Sequence, residues 1–76
     1  MEQRIIRLCD LPLNHNASVA RVGGELSERL RELGFIEDAT VRAAHRSARG
    51  GVTAYEVMGA VFALRRGDAA NVEVRF

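Results

Sequence analysis

The chain has 76 residues, 47% of them apolar and 28% charged, which is the makeup of one small globular domain over residues 1–76 and excludes a disordered segment. Eleven basic residues, all arginine, face ten acidic ones, and the formal charge of +1 excludes the strong basic excess of a dedicated nucleic-acid binder. A single cysteine, Cys9, excludes an internal disulfide framework and fits a reducing cytosol. No apolar run reaches the roughly 18 residues that would cross a bilayer, and the start, Met1 to Arg7, lacks the apolar stretch of a secretion signal, so a cytoplasmic location is expected.

Glycines punctuate the chain at short intervals, which suits a small, tightly turned β structure. Ile5-Ile6 opens an apolar segment. Leu8 and Leu11, three apart, suit a single helical turn ending near Pro12. Asn14 to Asn16 reads as a turn, and Ala17–Val22 as a strand. The anchors Val19 and Val22 break strict alternation, which a bulge before Gly23-Gly24 would reconcile.

Glu25–Leu33 has the strongest helical pattern, with Leu26, Leu30 and Leu33 at i, i+4 and i+7 on one apolar stripe. Gly34 stands where a left-handed residue ends a helix, and Phe35 is the apolar residue that would fold back on Leu30. The remainder alternates as a meander. Strands are predicted at Thr40–Arg46, Val52–Met58 and Ala60–Arg65, with a polar loop at Ser47–Gly51 and a sharp turn at Gly59. Arg66-Gly67-Asp68 begins a turn, Ala69-Ala70 suits a short helical turn, and Val72, Val74 and Phe76 point one way in a last strand. The fold class is therefore mainly β: five to six short strands with one inserted helix, which bury a core by curling into a small barrel or sandwich.

An ordered set of residues resembles the FeoA family: Leu8-x-x-Leu11, Arg29-Leu30, Leu33-Gly34-Phe35, Val41, Gly50-Gly51, Tyr55-x-Val57-x-Gly59, Ala63-Leu64-Arg65, and Val72-x-Val74. The resemblance covers nearly the whole chain. It implies an SH3-like small β-barrel with an inserted helix. It also implies a cytoplasmic, non-enzymatic accessory role in bacterial ferrous iron uptake, docking on FeoB, a membrane permease with a cytoplasmic GTPase domain. The chain departs from the family's pattern at Asp38, where a glycine is common, and at His15, Asn16, Val52 and Thr53 around two turns. Asp tolerates turns, so the backbone there is expected to survive the change.

Candidate site residues are few. Cys9, His15 and His45 are the soft or borderline metal ligands, but no CxxC or HxxxH spacing joins them. No cofactor is required on this reading, and ferrous or zinc ions would enter as adventitious or regulatory ligands. The margin of the Leu26–Leu30 stripe, with Arg29, could form a groove for a partner helix or peptide. Arg46 and Arg49, beside the central loop, are candidates for contact with acidic groups or for an arginine finger aimed at a partner GTPase. Arg65 is expected to bridge to Glu56 or Asp68. Tyr55 and Phe62 read as core, and Arg66-Gly67-Asp68 as a turn rather than an adhesion motif. No nucleophile–base pattern or phosphate loop is present; Glu25 after Gly23-Gly24 would repel a phosphate. Alternatives to permease docking are a metal-responsive module and a generic SH3-like peptide adaptor. Weak homodimers through exposed barrel edges are also expected.

Overall fold

The computed structural model describes residues 3–76. Apolar alternation sets the strands: β1 (Ile5–Arg7), β2 (Asn16–Val22), β3 (Thr40–Arg46), β4 (Val52–Val57), β5 (Ala60–Arg65) and β6 (Val72–Arg75). They form one antiparallel sheet in the order β1-β6-β2-β3-β4-β5. Their inward residues, among them Val19, Val41, Tyr55, Val57, Val72 and Val74, are at most 2% exposed and share one core. The expected six-stranded limit is met, and β3 and β5 fall on their predicted ranges.

Two register shifts curl the sheet. One lies between Val19 and Arg21, so that Val19 faces Val74 and Val22 faces Val72 across the same partner strand. This is the bulge that the uneven spacing of the two valines called for. The other lies between Ala43 and His45, and it breaks the alternation of β3. Ala43 is buried, whereas His45 is exposed.

A 3-10 turn, Leu8–Asp10, follows β1 and buries Leu8 and Cys9. Helix α1 spans Ser27–Leu33, two residues shorter at its start than the periodicity predicts. Gly24 takes φ +83°, and Leu26 sits outside helical geometry at φ −93°, ψ 13°, so Glu25 and Leu26 remain in the turn. The predicted stripe is corrected accordingly: Leu30 is buried, Leu33 is half-buried, and Leu26 is 41% exposed. A helix of under two full turns meets the barrel at little more than one residue.

The end of α1 follows the sequence closely. Gly34 has φ +115°, its N–H bonds the Arg31 carbonyl at 3.0 Å, and the Phe35 N–H bonds the Leu30 carbonyl at 3.0 Å. This is the doubly bonded glycine stop, and it delivers Phe35 into the core fully buried. Arg31 Nη2 donates to the Val22 carbonyl at 2.9 Å and fastens the helix to the end of β2. Asp38 takes φ +70°, the left-handed geometry that glycine adopts freely, so the substitution leaves the turn intact.

The β4–β5 hairpin turns on Met58 and Gly59, both at positive φ (51° and 79°), so β4 stops at Val57 rather than Met58. Arg66-Gly67-Asp68 opens a second short helix, α2 (Arg66–Ala69), which buries Ala69. Val72 and Val74 face the core as predicted; Phe76 does not, being 39% exposed with its ring edge-on to His15 at 5.6 Å.

Candidate interaction surface

Two arginines outside the predicted core, Arg46 and Arg66, join the core residue Tyr55 in holding the 3-10 turn onto the barrel. Arg46 Nε donates to Thr53 Oγ1 at 3.0 Å, and its Nη2 donates to the Leu11 carbonyl at 3.1 Å. The Tyr55 hydroxyl donates to the Leu8 carbonyl at 3.3 Å. Arg66 reaches the Cys9 carbonyl at 3.4 Å and Asp10 Oδ1 at 3.2 Å, tying α2 to the same turn. The bonds to the Leu8, Cys9 and Leu11 carbonyls supply partners to an irregular segment outside the strand ladder. Burial raises the Tyr55 phenol above its ordinary range, against the opposing pull of the Thr53 hydroxyl and the Arg46 charge. The Arg7 hydrogen bond at 2.9 Å lowers the Asp10 carboxyl, with the charges of Arg7 and Arg66 helping and partial burial opposing.

A second set of contacts lies outside the barrel. Arg42 spans Glu56 Oε2 at 2.9 Å and Asn14 Oδ1 at 2.8 Å, beside an open groove of about 400 Å³ bounded also by Thr40, Met58 and Val61. The β3–β4 register sets Arg42 directly opposite Glu56. That pairing could have been read from the sequence only with the Ala43–His45 shift in hand. Glu56 is thereby committed to Arg42, so the expected bridge from Arg65 to Glu56 is not formed. Arg65 is exposed, and no ion pair of the described residues, with Asp68 or any other acid, includes it.

The site residues predicted from sequence separate into two groups. Leu26, Arg29 and Arg49 are on the surface, available to a partner. Leu30 is 2% exposed and belongs to the core, and Arg46 is engaged at both ends of its guanidinium. Arg46 ends β3, as predicted, and its guanidinium is held by Thr53 and Leu11 instead of extending freely beyond the strand.

The three metal candidates are not gathered. Cys9 is 4% exposed within the core. His15 and His45 are exposed, with His15 Nδ1 donating to the Leu13 carbonyl at 3.0 Å. Among the described residues no group of three His, Cys, Asp or Glu side chains is placed to hold a metal ion.

This architecture, a curled antiparallel sheet with α1 inserted between β2 and β3 and a short helix before the last strand, defines a small SH3-like barrel domain. The FeoA domain profile matches residues 6–76, and the chain belongs to the FeoA family, which is associated with ferrous iron transport. The zinc complex of Stenotrophomonas maltophilia FeoA, described as a prokaryotic SH3 domain protein, is 32% identical with a TM-score of 0.79, covering 97% of this chain and 89% of that one. The solution structure of FeoA from Chlorobium tepidum is 23% identical with a TM-score of 0.88, covering 93% of this chain and 70% of that one. A manganese-dependent transcriptional repressor carries the same fold over 43% of its own length, with 99% of this chain covered, 17% identity and a TM-score of 0.84. No curated protein matches the chain significantly.

Proposed function

We propose that this protein is a non-enzymatic accessory component of bacterial ferrous iron uptake. It docks on the cytoplasmic part of a FeoB-type permease and modulates that partner's assembly, gating or GTPase cycle. The observation that carries the reading is family membership over residues 6–76. The arrangement of side chains supports it. Arg46, Tyr55 and Arg66 are occupied in holding the fold, whereas Leu26, Arg29 and Arg49 face solvent where a partner can meet them.

A cytoplasmic location suits the buried free thiol of Cys9, and no helix of the described residues is long and apolar enough to cross a membrane. The Stenotrophomonas relative binds zinc. For this chain a transition metal ion is read as adventitious or regulatory, because the residues that would ligate it are not clustered.

The test is retention of the protein by the immobilised cytoplasmic region of the permease, with and without guanine nucleotide and ferrous ion. Saturable retention in at least one condition is expected; none in any condition overturns the reading. GTP turnover by the same region, compared between wild type and Arg49→Ala, then decides the finger question. Equal stimulation assigns Arg49 to docking or to the solvated rim.

A further inference from the structure

The sheet order leaves two outer strands, β1 and β5. β1 is three residues long and runs directly into the 3-10 turn; β5 is six residues long. The direction of each main-chain group on β5 follows from one hydrogen bond. Arg66 N–H donates to the Gly51 carbonyl at 3.0 Å, just beyond the register that pairs Val52 with Arg65 and Val57 with Ala60. Bonded and non-bonded pairs alternate along an antiparallel ladder. The bonded members of β5 are therefore Leu64, Phe62 and Ala60, which point their main-chain groups at β4. Arg65, Ala63 and Val61 turn theirs away from it.

Among the described residues nothing takes up the outward groups of Val61 and Ala63; Arg65, the N-cap of α2, turns its carbonyl into that helix and keeps only its N–H at the edge. β5 pairs with β4 alone, and no turn or loop hydrogen bond uses the main-chain groups of Val61 or Ala63. The same three side chains stand in solvent, Val61 at 61% exposure. Sheets blunt such edges with proline, bulges, inserted charges or a covering element. β5 has no proline and an unbroken register, and its only charge is Arg65 at the far end. Beside it on β4, Val52 is 41% exposed opposite Arg65 and Ala54 is half-exposed opposite Ala63. Val61 and Ala63 themselves would give an added strand apolar contact as well as main-chain bonds.

We propose that the outer edge of β5 is a strand-addition site for an extended segment of another protein. That segment carries an acidic residue beside Arg65 and apolar residues beside Ala63 and Val61. The acidic requirement comes from Arg65, whose guanidinium is exposed and has no carboxylate partner among the described residues. A second copy fits less well. Two β5 strands paired antiparallel about Ala63 set each Arg65 against Val61 and leave both arginines unmatched. The proposal goes beyond permease docking, since it holds whichever protein supplies the strand.

The experiment is an amide-resolved NMR titration of the full chain with a capped peptide of pattern Ser-Glu-Thr-Val-Thr-Val-Ser, against a control with Lys in place of Glu. Saturable shifts and slowed amide exchange centred on Val61, Ala63 and Arg65 are expected, with the Lys control binding about fivefold weaker. Arg65→Glu should invert that preference. Ala63→Pro removes one outward N–H and leaves the β4 ladder whole, and it should weaken binding by about tenfold. If Ala63→Pro disturbs the fold, the charge inversion at Arg65→Glu alone decides the matter. Absent shifts, shifts centred on β1 or on the Arg42–Glu56 groove, or equal affinity for both peptides overturn the proposal. Concentration-dependent shifts at β5 without peptide overturn it in favour of a second copy.

Discussion

The corner where the 3-10 turn meets α2 and the hairpin of β4 and β5 make a useful pair. Both lie at the margin of the sheet, and both combine arginines with aliphatic residues. At the corner, Leu8 and Leu11 are fully buried and three polar side chains, those of Arg46, Tyr55 and Arg66, bond the carbonyls of the turn. At the hairpin, Val61 and Met58 are more than 60% exposed and Arg65 is free of any ion pair among the described residues. The corner replaces missing strand pairing with side-chain hydrogen bonds. The β5 edge leaves its pairing capacity open. The difference locates stability in the first region and leaves the second open to the strand addition proposed above.

Mutation can break that contrast most strongly at Leu11. Leu11→Ala removes a fully buried side chain and should destabilise the protein by about 2–5 kcal/mol, read as a lower urea midpoint. Arg46→Ala should follow at about 1–2 kcal/mol, because the Leu11 carbonyl and the Thr53 hydroxyl both lose a partner. Tyr55→Phe should lower stability by about 1 kcal/mol at neutral pH. Tyr55 also sets an alkaline dependence. Its folded-state value lies above the ordinary 10.0, so its stabilisation is whole below that pH and is lost as pH rises through the raised value. Chemical denaturation of wild type and Tyr55→Phe across that range should show the two curves converging.

Smaller effects sharpen the comparison. Asp10→Asn should lower stability by only a few tenths of a kcal/mol, because the carboxylate is 39% exposed and screened. Its folded-state value lies below the ordinary 3.8, so the contribution is present above that pH and vanishes as acidity increases through the lowered value. A wild-type minus Asp10→Asn difference that persists in strong acid would contradict this assignment. At the β5 edge, Ala63→Thr should leave the unfolding free energy within about 0.5 kcal/mol of wild type, since the side chain stands in solvent on a strand that favours β-branched residues.

The residues themselves carried most of the architecture. Alternation marked the strands, and the Leu33-Gly34-Phe35 stop was legible because a left-handed glycine and the apolar residue after it are local requirements. The uneven spacing of Val19 and Val22 announced a bulge before any partner strand was known. Local chemistry of this kind needs only the few neighbours that the sequence supplies.

What folding alone decided is which copies of one residue type are taken and which are free. Arg42, Arg46, Arg65 and Arg66 look alike in the chain. The shift between Ala43 and His45 hands Glu56 to Arg42, Arg46 is drawn over the 3-10 turn, and Arg66 is set against Asp10. Arg65 is left on an open strand edge. Ion pairs and carbonyl contacts of this kind join residues 14 to 56 positions apart. Their geometry depends on strand register, and a one-residue slip sends every side chain to the opposite face.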